Sequence, residues 1–308
     1  MTTAYITHPD CELHDMGSGH PESPARLRAI REHLMERQLW DYLRHIDAPK
    51  VDKKHLYRVH SRDYVDRIFD QFPLKKPTQL GEDVEANPHT LNAALRSCGA
   101  VCEAIDHVMQ GKVSNAFCAV RPPGHHAEKS RAMGFCVFSN VAVGAAYAIH
   151  QYDLERVAII DFDVHHGNGT ENILQYDERV LFCSSFQYPF YPHTVPDETR
   201  SNIIHTPMHA GTSSEEFRDW VLQHWMNKLE QFHPQLVLIS AGFDAHQADP
   251  LADVHLDERD YCWLTQELKR LADHCCEGKI VSSLEGGYDL NALSRSVYQH
   301  VRVLADMD

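Results

Sequence analysis

Short apolar runs, each closing on polar or glycine-rich residues, set the rhythm of this chain. Ala116-Phe117-Cys118-Ala119-Val120 leads into Arg121-Pro122-Pro123-Gly124-His125-His126. Val157-Ala158-Ile159-Ile160 leads into Asp161-Phe162-Asp163-Val164-His165-His166-Gly167-Asn168-Gly169. Val180-Leu181-Phe182-Cys183 runs into Ser184-Ser185, and Leu236-Val237-Leu238-Ile239 into Ser240-Ala241-Gly242-Phe243-Asp244. Lys279-Ile280-Val281-Ser282-Ser283-Leu284 runs into Glu285-Gly286-Gly287-Tyr288-Asp289. Runs of this length, bounded by turn formers, predict buried strands, and Tyr5-Ile6 predicts a short first one. Between them the apolar positions recur at helical spacing. Ser23-Pro24 reads as N-cap and first helical residue of a helix to about Arg37. Further helices are predicted over His89–Gln110, Asn140–Tyr152, 213–231, 257–277 and 289–306. Residues 7–23, 71–88 and 186–212 read as loops. Strand–helix alternation gives the α/β class, with a mainly parallel sheet covered by helices on both faces.

Chemistry in such sheets gathers beyond the carboxyl ends of the strands, and here those ends carry most of the suggestive residues. A buried strand has no structural use for the two carboxylates and two imidazoles of Asp161 to His166. Side-chain alternation would point Asp161, Asp163 and His165 the same way. Zinc takes both ligand types, and a catalytic zinc keeps three protein ligands and one open position. Asp163, His165 and Asp244 are the candidate ligands. Two carboxylates and one neutral imidazole would balance the charge of Zn²⁺. The adjacent His125 and His126 suit acid–base work near neutral pH. Each needs a partner for its other ring nitrogen; Asp161 could serve His125 and Asn168 could serve His126. Tyr288 follows two glycines and could donate to a developing oxyanion. The bland alternatives are a structural ion pair for Asp163–His165, solvated loop histidines for the pair, and an ordinary core tyrosine for Tyr288.

Composition narrows the class. The chain has 308 residues and 29 basic against 44 acidic side chains, a formal net charge of −15. One domain over 1–308 is expected. The charge argues against a nucleic-acid partner and suits a cationic substrate or product. Nine cysteines without a C-x-x-C argue for free thiols in a reducing cytoplasm. No apolar run reaches the length of a membrane-spanning helix. Self-association is left open.

Taken together, Arg121 to His126, Asp161 to Gly169, Ser240 to Asp244 and Glu285 to Tyr288 resemble, in order and spacing, the motifs of the histone deacetylase family. Gly19-His20-Pro21-Glu22-Ser23-Pro24 and Met133-Gly134-Phe135 match as well, so the resemblance covers about residues 8–300. Asn168, where class I members carry Asp, gives a class II flavour. The resemblance implies the arginase-deacetylase fold, with an eight-stranded mainly parallel sheet. It implies one Zn²⁺ on Asp163, His165 and Asp244, and a structural K⁺ using Asp161, Asp163, His165, Ser184 and Ser185. It further implies that zinc and Tyr288 polarise an acetyl-amide carbonyl, that His126 assists the attacking water, and that the His pair protonates the leaving amine. Gly134, Phe135 and Tyr191 would line a narrow acyl-lysine tunnel, and Asp83 would stand near the substrate backbone. Two departures bear on specificity. Tyr191-Pro192-His193-Thr194-Val195 replaces the more usual Pro-Gly-Thr-Gly. Leu251 stands where polyamine-selective relatives carry an acidic gatekeeper.

The expected activity is therefore zinc-dependent removal of acyl groups from lysine side chains or similar small amines. Three other readings compete: an acetylpolyamine deacetylase, a catalytically silent acyl-amine binder, and a dinuclear arginase-like hydrolase. The silent binder would not need Tyr288 and both histidines. The dinuclear enzyme would need more ligands for a second metal; only one Asp-x-Asp-x-His cluster is evident, and counting bound metal would decide.

Overall fold

The structure is a computed structural model that describes residues 2–195 and 199–307. Positions 196–198 of the predicted 186–212 loop, and residues 1 and 308 of the predicted domain, lie outside the described residues. The sheet strands are β1 (Thr3–Thr7), β2 (Arg44–Asp47), β5 (Asn115–Cys118), β6 (Val157–Asp161), β7 (Val180–Gln187), β8 (Ile203–Met208), β9 (Leu236–Ala241) and β10 (Ile280–Leu284). A separate antiparallel hairpin joins β3 (Thr78–Gly81) to β4 (Val84–Ala86). The sheet has eight strands in the order β2-β1-β5-β10-β9-β6-β7-β8. Every pairing within it is parallel. Strands β5, β6, β7, β9 and β10 are buried at every position, as parallel strands covered on both faces must be.

This order positions the site. The first strands in the chain build one side of the sheet, β6 to β8 build the other, and β9 and β10 fill the gap between β5 and β6. Four adjacent strands, β5, β10, β9 and β6, therefore release their carboxyl-terminal loops side by side. Those loops carry His125 and His126, Glu285 to Tyr288, Asp244, and Asp163 with His165, although up to 163 residues of chain separate them.

The helices follow their apolar spacing. Ala25–Glu36, Thr90–Met109, Asn140–Tyr152, Glu258–Cys276 and Leu290–Leu304 fall within two residues of expectation at each end. Ser23 caps the first with its carbonyl, which accepts from the Arg26 amide at 3.1 Å, and not with its hydroxyl. The expected 213–231 helix is broken. Ser214–Val221 opens with a Ser213/Glu216 capping box, a π turn follows over Leu222–Met226, and Asn227–Phe232 resumes the α-helix. Trp225 falls in the wide turn, fully buried, and its Nε1 donates to Thr206 Oγ1 at 2.9 Å.

Several elements escaped the apolar pattern, among them four strands and the helices Arg62–Asp70 and Asn168–Leu174. β2 is an edge strand of sequence Arg-His-Ile-Asp, exposed or half-exposed throughout, so no apolar run announces it. β8 lies inside the expected 186–212 loop, and β7 itself runs on to Gln187. The β3–β4 hairpin lies in the stretch expected to be irregular. All nine cysteines are free, and no described helix is long and apolar enough to cross a membrane.

Gly99 marks the tightest contact between the helical layer and the edge of the sheet. A Cβ there would lie 1.9 Å from the Pro49 carbonyl oxygen, and the Val51 amide donates to the Leu95 carbonyl of the same helix at 2.9 Å. Gly99→Ala must push the helix off this backbone. The expected cost is about 1–3 kcal/mol, as for other overpacked sites, read as a fall in the thermal unfolding midpoint. An unchanged midpoint would show that the helix can shift there without cost.

Candidate active site

The loop after β6 turns sharply, because the strand ends at Asp161. Strand alternation is therefore not what aims the side chains beyond it. Asp161 turns to His125, whose Nδ1 lies 3.0 Å from Asp161 Oδ2. Asp163 and His165 turn instead toward Asp244, which β9 delivers through Gly242-Phe243. His165 Nδ1 lies 3.0 Å from Asp163 Oδ1 and 3.2 Å from Asp244 Oδ2. One ligand atom from each of these three buried residues falls within 4.8 Å of the others.

Backbone amides hold the two carboxylates in place. Gly286 N–H donates to Asp163 Oδ2 at 2.8 Å, and Val164 N–H donates to Asp244 Oδ1 at 2.9 Å. A Cβ on Gly286 would meet Asp244 Oδ2 at 2.1 Å and Asp163 Oδ2 at 2.6 Å. Glycine at 286 is thus dictated by close approach, not by backbone conformation. Among the described residues neither carboxylate has a lysine or arginine partner; the cations facing them are imidazoles. Burial opposes charge on His165, but Asp163 and Asp244 hold its proton, with a pKa of about 10. Burial and the Asp163 charge push Asp244 up. Two buried carboxylates and an imidazole, converging and short of positive charge, fit a divalent metal of the zinc type.

The two adjacent histidines are set apart by their partners. His126 Nδ1 lies 2.8 Å from Asn168 Oδ1, and Asn168 Nδ2 donates to Glu128 Oε1 at 2.8 Å. Glu128 fixes which way the amide points, so His126 must carry its proton on Nδ1 and leave Nε2 bare. Burial, with His125 and His165 nearby, pushes its pKa well down. Burial also opposes charge on His125, but Asp161 and Asp163 overcome it and push its pKa well up. A divalent cation beside Asp163 would weaken that second effect. The rings stand 4.0 Å apart.

Tyr288 is placed by groups the sequence did not single out. Its amide donates to Asp249 Oδ2 at 2.7 Å. Arg26 lies over its ring at 5.0 Å and donates to the Gly287 and Glu285 carbonyls at 2.7 and 2.6 Å. Burial pushes the Tyr288 phenol well up, so it stays a donor at neutral pH. Arg26 is itself held by Glu22, which pairs with Arg121 and lies 3.5 Å from His14, all fully buried. Glu285 accepts from the Gly124 and His125 amides at 2.6 and 3.2 Å and ties the β10 loop to the β5 loop. Burial raises both Glu285 and Asp249 to about 7. Their signal in the sequence was position alone, within or five residues beyond a recognised motif.

Of the expected tunnel residues, Gly134 packs directly under His126, where a Cβ would lie 2.4 Å from the ring. Phe135 meets Tyr288 edge-on at 6.0 Å. Tyr191 meets His126 edge-on at 5.2 Å, while its neighbour Phe190, not singled out, stacks on His165 at 5.6 Å. Asp83 sits at the turn of the β3–β4 hairpin, and its carbonyl accepts from the Phe135 amide at 3.1 Å. Leu251 lies on the Asp249 loop, its amide held by Asp249 Oδ1 at 3.0 Å. Ser184 pairs in register with Asp161 across β6 and β7, and its hydroxyl meets His166 Nδ1 at 2.9 Å. Ser185 Oγ is buried without a hydrogen-bond partner.

A parallel sheet with helices on its faces and this group at its carboxyl edge is the architecture of the arginase-deacetylase fold. The histone deacetylase domain matches residues 20–304, and the chain belongs to that family. The crystal structure of the HDA15 HD domain superposes with a TM-score of 0.93 at 32% identity, covering 99% of this chain and 90% of that one. The chain is 34% identical to type-2 histone deacetylase 2 of Dictyostelium discoideum, over 99% of its own length and 21% of the relative's. It is 33% identical to polyamine deacetylase HDAC10 of Mus musculus, over 96% of its own length and 45% of the relative's. The chain thus spans less than half the length of these two relatives.

Gly286→Ala tests the metal cradle. The added methyl must displace both carboxylates, so the affinity for zinc is expected to fall at least about tenfold, roughly 1.4 kcal/mol, in a chelator-competition titration. Circular dichroism should be unchanged. Wild-type affinity in this variant would separate the carboxylates from metal binding.

Proposed function

We propose that the chain is a zinc-dependent deacylase of lysine side chains or similar small amines. The observation that carries this reading is the bare Nε2 of His126, fixed by Asn168 beside the Asp163–His165–Asp244 group. Those three residues would hold one zinc ion, which when bound would supply Lewis acidity to a carbonyl oxygen and ease deprotonation of water. His126 Nε2 receives the proton of the attacking water, with Nδ1–H anchored on Asn168 Oδ1. His125, kept in its tautomer by Asp161, carries the proton that the leaving amine needs. The Tyr288 hydroxyl donates to the carbonyl oxygen as charge builds on it. Phe135, Phe190 and Tyr191 form apolar walls that keep water from an acyl-lysine stem, with Gly134 at the floor. A potassium ion, by family analogy, would be held by oxygens alone, which suits a hard cation. Asp161, Asp163, His165, Ser184 and Ser185 would supply them.

An acetylpolyamine is the second substrate class. The mouse relative's name favours it, and so do Glu82 and Asp83, whose carbonyls hold the Gly134 and Phe135 amides at the edge of the site. Leu251 favours acyl-lysine, because an apolar side chain offers no partner to an ammonium group.

The deciding experiment assays the purified protein against acyl-lysine peptides, free acyl-lysines and acetylpolyamines, with and without zinc. Activity on the lysine series that is lost on chelation and restored by zinc is the expected result. Alanine at Asp163, His165 or Asp244 should abolish it.

Tyr288→Phe keeps the ring packing and removes the donor. Its kcat should fall by about 10²–10³, or about 3–4 kcal/mol, with zinc content and melting temperature unchanged. Near-normal turnover would remove Tyr288 from the mechanism.

Leu251→Glu puts a carboxylate on the Asp249 loop. A partly exposed ion pair is worth roughly 0–1 kcal/mol, more if desolvated. The ratio of kcat/KM for acetylspermidine-like over acetyl-lysine substrates should rise by up to about tenfold, about 1.4 kcal/mol. A wild type already selective for acetylpolyamines would overturn the lysine reading.

A further inference from the structure

The geometry points to a second divalent-metal site, formed by His166, Glu171 and His205 and sharing no ligand with the first. These residues come from three elements: the loop after β6, the helix Asn168–Leu174, and the edge strand β8. One ligand atom from each lies within 4.8 Å of the other two. His166 Nε2 lies 2.8 Å from Glu171 Oε2, and His205 Nε2 lies 2.6 Å from the same oxygen. The imidazoles meet edge-to-face at 4.9 Å. Both histidine side chains are about 1% exposed and that of Glu171 16% exposed.

Sheet register builds this group. His205 pairs with Ser184, and Ser184 pairs with Asp161, so the three share one face of the sheet across β8, β7 and β6. Phe182 and Phe186, two residues either side of Ser184, face the same way. Their rings lie 6.1 and 4.6 Å from His166 and close the floor with apolar surface. Ser184 Oγ meets His166 Nδ1 at 2.9 Å. A hydroxyl can accept as well as donate. His166 can therefore place its proton on Nδ1, against Ser184, and present its Nε2 lone pair to a cation. An outer-sphere hydrogen bond of this kind is what orients a metal-bound imidazole. Glu171, the exposed member, has room to withdraw as the ion enters.

Two imidazoles and one carboxylate select borderline first-row ions such as Zn²⁺, Co²⁺ or Ni²⁺ over Mg²⁺ or Ca²⁺. The ion would pin the edge strand β8 to the loop that carries His165. It is not the bridged pair of a dinuclear hydrolase, because the two groups have no residue in common.

The test is equilibrium dialysis of the chelator-stripped protein against micromolar Zn²⁺, with bound metal counted by mass spectrometry. Wild type is expected to hold two ions per chain. His205→Asn and Glu171→Gln should each hold one and keep deacylase activity, and Asp244→Ala should hold one and lose it. A d–d spectrum of Co²⁺ bound to Asp244→Ala, absent when His205→Asn is added, would identify the ligands. One ion in wild type, or two in both His205→Asn and Glu171→Gln, overturns the second site. Where one of these variants fails to fold, the other and the Co²⁺ spectrum decide. A wild type that holds the His205-dependent ion but has no activity would speak only against the deacylase reading.

Discussion

Buried negative charge is the constraint around which this molecule is organised. Asp161, Asp163, Asp244, Asp249 and Glu285 all lie beyond the carboxyl ends of neighbouring strands, out of water. An uncompensated buried carboxylate is costly. Each is answered by a specific device: amides of Val164, Gly286 and Tyr288, the imidazoles of His125 and His165, or a proton retained to about pH 7 on Asp249 and Glu285. The glycines at 242 and 286 follow from this crowding, since a Cβ would lie 2.2 Å from Asp163 Oδ2 at the first and 2.1 Å from Asp244 Oδ2 at the second. A divalent cation held by Asp163, His165 and Asp244 would answer what those devices leave over.

A second buried assembly stands behind the first. Glu22 pairs with Arg121 and Arg26 and lies near His14, away from solvent. Glu22 and Arg26 come from the segment after β1, Arg121 from the loop after β5, and Arg26 reaches the carbonyls around Tyr288. Removing one member of such a network leaves another charge buried and unpaired. The phenol on which the proposed oxyanion contact depends is thus braced by residues more than 250 positions earlier in the chain.

The strands and helices that pack on both sides were legible because burial imposes a run or a period. Val157 to Ile160 could be little else than a covered parallel strand, and the helix at Thr90–Met109 showed its apolar face plainly. The elements that escaped were those where burial is one-sided or absent, such as β2 at the sheet edge and the β3–β4 hairpin. The chemistry was legible where several ionisable residues crowd one loop, as at Asp161 to His166. Asp249, Glu285 and Phe190 act through contacts made in three dimensions, which no local spacing announces. Strand alternation also misled at Asp161, because the strand stops there and the side chains beyond it are aimed by the turn.

The sheet order has a consequence for how the protein comes into being. β10 is the last strand in the chain, yet it lies between β5 and β9 near the middle of the sheet. A ribosome that has released everything up to β9 has made a sheet with an open seam. Gly286 and Tyr288 are still unmade, and Asp163 lacks the amide that holds it. The centre closes only when β10 slides between its neighbours and the loop that follows it has emerged. Pairings this distant in sequence also make folding slow, and the seam exposes two unpaired strand edges in the interval.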